Sequence, residues 1–282
     1  MNDLEFKNNS KKGLKLDVSE LEFKTFGKTI LSGNINFTIL PNEIIGLLGP
    51  SGSGKSTLLK SCCGLIKPSH GNILLNSKSL YQNISDLRNK IGYVPQDDII
   101  HQDLTVEKAV YYSAKLRLPN TYPDEKIKAL SSKVISQVGL QERANLKIKK
   151  LSGGQRKRAS IAVELLSEPS LLFLDEPTSG QDPQLEESLM KLFKDIANLG
   201  TTIIITTHAM ASIEMLDLVI IIQSGSMVYF GKPVDLLEFF DTKSYEGVFK
   251  NLAKEKKEFW QKKYVASDHF KKYVANRKRM SF

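Results

Sequence analysis

The chain has 282 residues, 41% hydrophobic and 25% charged, enough material for one large core or two modest ones. Its longest uninterrupted apolar run, residues 218–222, is far short of the ~20 residues a spanning helix needs, and the polar first thirteen residues do not read as a secretory signal. Charge is uneven: residues 243–282 hold 12 Lys or Arg against 4 Asp or Glu, whereas residues 1–242 balance at 28 against 27. Such a basic tail fits a solvated amphipathic helix, a nucleic-acid patch or a segment against an anionic membrane surface. The adjacent Cys62 and Cys63 are poorly placed for a disulfide and read as small core residues of a protein in a reducing compartment.

Leu14, Leu16 and Val18, then Leu21 and Phe23, and later Ile35, Phe37 and Ile39 alternate with polar residues, which predicts antiparallel strands over residues 14–40. Phe26 lies between them, where an aromatic ring either stacks on a nucleotide base or packs. An apolar run at residues 44–48 then leads into Gly49, Pro50, Ser51, Gly52, Ser53, Gly54, Lys55, Ser56 and Thr57. This is the spacing G-x-x-x-x-G-K-[ST] between a strand and a helix, the pattern of a phosphate loop. The glycines let several backbone N–H groups turn inward around phosphate oxygens. Lys55 reaches the outer phosphates as a point charge, and Ser56 offers a hydroxyl to Mg²⁺.

Residues 71–76 read as an edge strand and residues 91–94 as a buried one, which delivers Gln96 to the carboxyl end of the sheet, where its amide can serve a metal ion and a water. From Thr105 the pattern turns helical up to residue 150, an insertion for packing and partner contact. Ser152 caps a further helix running to about residue 166, and Gly153, Gly154 and Gln155 leave its N-terminus open to an anion. That second phosphate-facing helix cannot reach the nucleotide of the first loop unless the chain folds back or another copy supplies it. The apolar strand 171–174 carries Asp175, placed for Mg²⁺, and Glu176, placed to polarise an attacking water. Asp182 caps a helix that begins at Pro183 and ends before Gly200. The β-branched strand 202–206 ends beside His208, which is read as a contact to the terminal phosphate. Residues 218–222 and 227–230 read as late strands and residues 234–240 as a short helix. His70, His101 and His269 receive no role.

In this order the motifs resemble the nucleotide-binding domain of ATP-binding cassette (ABC) transporters, over about residues 14–240. Residues 49–57 match its Walker A loop, Gln96 its glutamine loop, and Leu151-Ser152-Gly153-Gly154-Gln155 its signature. Residues 171–175 match Walker B with Glu176 as the base, residues 179–182 the D-loop, and His208 the histidine switch, while Phe26 falls where the family has its adenine-stacking aromatic. The stretches 92–98, 104–106, 156–158 and 172–180 are similar to the G-type branch and its bacterial relatives with ABC-2-type membrane domains. Gln181 departs from the leucine normal there. The X-loop typical of long-chain exporters is missing before Leu151, where Lys147, Lys149 and Lys150 stand.

The resemblance implies an α/β P-loop NTPase with a RecA-like mixed core sheet, an N-terminal antiparallel β subdomain and an inserted α-helical subdomain. On this reading residues 14–242 form the ATPase domain, with the insertion at about 97–167, and residues 243–282 are a basic tail or a linker to a membrane domain. It further implies ATP and Mg²⁺ as ligands, and a head-to-tail dimer with a second copy or a homologous ATPase subunit. Each ATP is then held between residues 49–57 of one subunit and residues 152–155 of the other, and Asp182 of the D-loop is a further expected nucleotide-binding residue. The expected function is the ATP-hydrolysing motor of an exporter at the cytoplasmic face of the membrane, attached to a transmembrane subunit or fused domain. The alternative is a non-transport ATPase of the same fold working on ribosomes or nucleic acid through the basic tail. Related translation factors resemble two cassettes in one chain, and here there is one, so nucleic acid is disfavoured. A metabolic kinase or GTPase is disfavoured by the signature and by the lack of a base-reading Asn-Lys-x-Asp element.

Overall fold

The computed structural model describes residues 13–280 apart from 181, 209 and 211, so the departure at Gln181 lies outside the described residues. Two sheets organise the chain. Strands β1 (Leu16–Thr25), β2 (Lys28–Ile39), β4 (His70–Leu75) and β5 (Lys78–Ser79) form an antiparallel sheet in the order β2-β1-β4-β5. Strands β3 (Ile44–Leu48), β6 (Ile91–Val94), β7 (Leu171–Asp175), β8 (Thr202–Thr206), β9 (Leu218–Gln223) and β10 (Ser226–Gly231) form the second, in the order β10-β9-β3-β8-β7-β6. All neighbours in that sheet are parallel except β10, which turns back antiparallel on β9. This is the mixed core sheet expected. Every residue of β3, β7 and β8 is buried, which is why their sequences run apolar without alternation.

Two strand readings need correction. Residues 91–94 form the outer strand β6 of the core sheet, half-buried on alternate residues, and not a buried strand. Conversely β4 is no edge strand, because the two-residue β5 pairs beyond it. Four apolar or aromatic residues in a row cannot by themselves tell an edge from a centre, since a covering helix buries an edge strand too.

Helix α1 (Lys55–Cys62) follows β3 directly, and the one-turn helix α2 (Ile84–Leu87) precedes β6. The helical insertion comprises α3 (Val106–Arg117), α4 (Asp124–Gln137) and α5 (Gly153–Leu165). Thr105 Oγ1 accepts from Lys108 N to cap α3, as its position in the sequence predicts. Helix α6 (Pro183–Asn198) starts with proline in its first turn and Asp182 as its cap.

The basic C-terminal stretch is not extended. Helices α7 (Asp235–Phe239), α8 (Tyr245–Leu252), α9 (Lys257–Val265), α10 (Asp268–Phe270) and α11 (Asn276–Lys278) fold back on β10 and β2, with a π-helical segment Lys271–Ala275 between the last two. Trp260, Tyr264 and Tyr273 are buried there among Tyr229, Phe230, Phe239 and Phe240. These aromatics thus form an inward face of the stretch, and most of its lysines lie on the outward one. Residues 245–278 belong to the folded body.

Arg277 fastens the end of this appendage: its Nε donates to Thr38 O at 3.1 Å, Nη2 pairs with the Glu43 carboxylate, and the guanidinium lies over the Phe230 ring. Burial pushes the Glu43 carboxyl above its ordinary range, and the Arg277 charge pulls it back down. A carboxyl whose folded pKa is raised contributes stability below its unfolded pKa and loses it as pH rises through the folded one. Removing Arg277 strengthens that raising. Arg277→Ala is therefore expected to cost about 2 kcal/mol near neutral pH and clearly less near the unfolded carboxyl pKa of about 4.3. Urea midpoints at the two pH values check this, and an equal loss at both would count against the pairing.

Candidate nucleotide site

The phosphate loop leaves the buried end of β3 and runs into α1, whose first residue is Lys55. Gly49 adopts φ 147°, and a Cβ there would stand 2.1 Å from Ile222 O, so the strand-to-loop corner admits no side chain. Lys55 Nζ is buried inside the loop and donates to Gly49 O at 2.8 Å and Pro50 O at 3.0 Å. Its burial lowers the ammonium pKa, and the nearby Glu176 and Asp175 carboxylates oppose that shift. Among the described residues Ser53 Oγ is buried without a hydrogen-bond partner in the same loop. A cationic group, glycines at positive φ (Gly49, Gly52 and Gly54) and a spare buried hydroxyl together fit a phosphate chain.

Parallel pairing then sets the acidic residues. In the register of β7 and β8, Asp175 lies opposite Thr206, and Thr206 Oγ1 donates to Asp175 Oδ1 at 2.7 Å. The same carboxylate receives Ser56 Oγ at 3.1 Å and Tyr93 OH at 3.3 Å. The Ser56 hydroxyl beside the Asp175 carboxylate is the hard-oxygen pair that Mg²⁺ prefers. Among the described residues no cluster of three His, Cys, Asp or Glu side chains could hold a metal. An ion here would therefore share its coordination with phosphate oxygens and water.

Glu176 breaks from the strand at φ 45°, a left-handed conformation that costs a non-glycine residue about 1 kcal/mol or more. Its backbone N–H donates to Thr206 Oγ1 at 2.7 Å, which fixes that turn. The carboxylate is reached from both sides: His208 Nε2 lies 2.9 Å from Oε1, and Gln96 Nε2 donates to Oε2 at 3.2 Å. Three residues far apart in sequence, Gln96, Glu176 and His208, thus meet beyond the carboxyl ends of β6, β7 and β8, within reach of the phosphate loop through Asp175 and Ser56.

The remaining candidates sit apart from this cluster. Phe26 occupies the tip of the two-residue β1–β2 hairpin at φ 45°, with Gly27 at φ 75°, and its ring is fully exposed. Ser152 caps α5 in a reciprocal capping box, taking Gln155 N at 3.3 Å while Gln155 Oε1 takes Ser152 N at 3.1 Å. Asp182 Oδ1 accepts from Leu185 N at 2.9 Å and so serves as a helix cap. Ser51 is exposed, as is Gly52, whereas Ser53 and Gly54 are buried; Thr57 is half-buried on α1. Among the described residues, Phe26, Ser152, Gly153, Gly154, Gln155 and Asp182 make no hydrogen bond to the Glu176 cluster.

Four residues of the site escape sequence reasoning. Thr206 and Tyr93 are β-strand residues whose partners depend on strand order. Lys157 and Asp98 brace the glutamine loop: Lys157 Nζ donates to Gln96 O at 2.7 Å and Pro95 O at 3.1 Å and pairs with Asp98 at 3.1 Å. A lysine one turn before the buried Ile161 was the available signal. Beside that loop opens a groove of about 380 Å³ against the helical insertion, with Ile99, Tyr112 and Leu116 exposed on its walls.

A family model described as ABC transporter matches residues 32–179, more than half of the chain. The chain belongs to the ABC transporter family. It is 37% identical over 241 residues to the ABC transporter ATP-binding/permease protein Rv1747 of Mycobacterium tuberculosis, covering 84% of this chain and 28% of that one. To ABC transporter G family member 22 of Arabidopsis thaliana it is 40% identical over 224 residues, 76% of this chain and 29% of the relative. It thus spans less than a third of those two proteins. The linearmycin resistance ATP-binding protein LnrL of Bacillus subtilis is 36% identical over 214 residues, 76% of this chain and 68% of LnrL. The solved structure of cbiO1 from Clostridium perfringens, described as part of the ABC transporter complex cbiONQ, superposes with a TM-score of 0.74 at 31% identity, covering 88% of this chain and 98% of that one. The G-type and bacterial ABC-2-type likeness in the motifs is therefore shown, as is the ABC ATPase fold. Among the described residues of this ABC domain no helix is long and apolar enough to cross a membrane.

Proposed function

We propose that this ABC domain binds MgATP and hydrolyses it as the motor of a transporter, in the exporter-type G branch, at the cytoplasmic face of a membrane. The observation that carries the reading is the placement of Glu176 between His208 and Gln96, next to the Asp175–Ser56 pair and Lys55. Glu176 is the proposed base, accepting the proton of the attacking water through one carboxylate oxygen while His208 and Gln96 hold that carboxylate in place. Lys55 and the loop amides bind the phosphates, and His208 is within reach of the terminal one. Ser56, Asp175 and Gln96 would hold Mg²⁺, which when bound neutralises phosphate charge. Phe26, exposed on its hairpin tip, is the proposed stacking platform for adenine.

A head-to-tail dimer gives the capped N-terminus of α5 a ligand: Ser152, Gly153, Gly154 and Gln155, with Asp182 at the start of α6, would close over the nucleotide of the second subunit. The apolar groove beside Gln96 is the proposed seat of the membrane partner, because a shift there reaches the Glu176 cluster through one side chain. Both a fused and a separate membrane partner are consistent with relatives named an ATP-binding/permease protein and an ATP-binding protein. The burial of Trp260, Tyr264 and Tyr273 removes the aromatic faces that would stack on bases, which favours the transporter reading over a nucleic-acid one.

Fractionation of the endogenous protein after nuclease and salt washes, with its intact mass, tests the reading. Recovery with membranes is expected, either beside a membrane subunit or at a larger fused mass. Recovery with ribosomes or nucleic acid would overturn it.

A further inference from the structure

The phosphate loop is braced from behind by the β9–β10 hairpin. Its two-residue turn is Ser224 at φ 45° and Gly225 at φ 79°, the positive pair that a tight hairpin of this hand requires. Gly225 N donates to Ser53 O in the phosphate loop at 2.8 Å, and Gly225 O accepts from Ser32 N at 2.9 Å and Ser32 Oγ at 3.1 Å on β2. The fit is tight: a Cβ on Gly225 would stand 2.1 Å from Ile30 O. The turn therefore cannot move without moving Ser53, β2 or both.

The outer side of the same turn is held by the C-terminal helices. Gln223, the last residue of β9, donates through Nε2 to Leu252 O at 2.9 Å and Glu255 O at 3.0 Å. These carbonyls lie at and just beyond the end of α8, where a helix leaves acceptors unsatisfied. Leu252 O also takes Trp260 Nε1 at 3.2 Å, so the α8–α9 junction and the buried tryptophan share that anchor. Lys257 Nζ adds a bond to Ser224 O at 3.2 Å. Hydrogen bonds from α8 and α9 to Gln223 and Ser224, the backbone of the turn, and the Gly225 N–H bond to Ser53 O together link the helices to the phosphate loop.

We infer that Gln223 is a positioning residue that ties the seating of the C-terminal helices to the shape of the phosphate loop, so that whatever displaces those helices changes the affinity for ATP. The inference rests on the ATP-binding reading of the loop, but the tie itself is readable without nucleotide. Coupling of this kind is reciprocal: if α8 and α9 bias the loop, ATP in the loop must bias α8 and α9.

The test compares Gln223→Met, which keeps the side-chain length and removes both donors, with the unaltered 282-residue chain. Three results are expected. Backbone hydrogen exchange at residues 50–56 accelerates in nucleotide-free Gln223→Met; KM for ATP rises about fivefold while kcat changes little; and ATP slows exchange at residues 252–257 in the unaltered chain only. A purely structural role for Gln223 would lower Tm without the local acceleration or the split between KM and kcat. Gln223→Met that stays folded with unchanged KM and unchanged exchange at residues 50–56 overturns the inference. If that variant does not fold, Lys257→Ala, at a half-buried position, is measured in the same way, and unchanged exchange at residues 50–56 again overturns it. Failure of the unaltered chain to bind ATP would instead sink the ATP reading, while the nucleotide-free exchange would still decide the tie.

Discussion

Glu176→Gln is expected to lower kcat for ATP hydrolysis by about 10²- to 10⁴-fold while leaving ATP affinity nearly unchanged. The substitution is isosteric, so the strained turn held by Thr206 and the contact to His208 keep their shape. What is lost is the carboxylate that takes a proton from water. Lys55, Ser53 and Ser56, which face the phosphates in this account, are untouched. Single-turnover phosphate release, with nucleotide binding measured in parallel, separates the two effects. If the variant hydrolyses ATP at the unaltered rate, the base lies elsewhere; if it loses binding as well, Glu176 is part of the phosphate cradle. ATP bound but not cleaved should also keep head-to-tail dimers assembled, which light scattering detects.

Trp260→Ala is expected to destabilise the domain by about 3–5 kcal/mol, the range for truncating a buried aromatic. Trp260 packs on Phe240 with ring centroids 4.7 Å apart and donates to Leu252 O, and it is buried although it stands in a stretch whose composition reads as a basic tail. The sequence contains one tryptophan, so its fluorescence reports this position alone. In the unaltered chain the unfolding transition seen by that fluorescence should coincide with the one seen by far-ultraviolet circular dichroism, as for one cooperative unit. An early fluorescence transition, together with an unchanged main transition in Trp260→Ala, would mean that residues 245–278 are an appended segment.

The legible parts of the sequence are those fixed by local chemistry. The phosphate loop is a run of adjacent residues whose spacing is its geometry. Caps at Thr105, Ser152 and Asp182 declare themselves by residue type, and each accepts the expected backbone N–H. Buried parallel strands such as 171–175 announce their acidic ends. Less legible are features that depend on which strand lies beside which. Strand order sets the bond of Thr206 to Asp175 and that of Tyr93 to the same carboxylate, and no periodicity encodes strand order. The edge position of β6 is hidden for the same reason. The tail misleads because charge dominates its composition, although three buried aromatics and Arg277 decide where it packs. The long stems of its lysines leave the charges in water while the apolar face docks.

Phosphate release from the purified 282-residue chain, measured in MgATP over a wide range of protein concentration, tests the central claim most directly. A site built from two subunits predicts Mg²⁺-dependent turnover whose rate per chain climbs with concentration toward a plateau as dimers form. Turnover per chain that stays constant while light scattering shows only monomers would contradict the shared site, and no release at any concentration would contradict the motor itself.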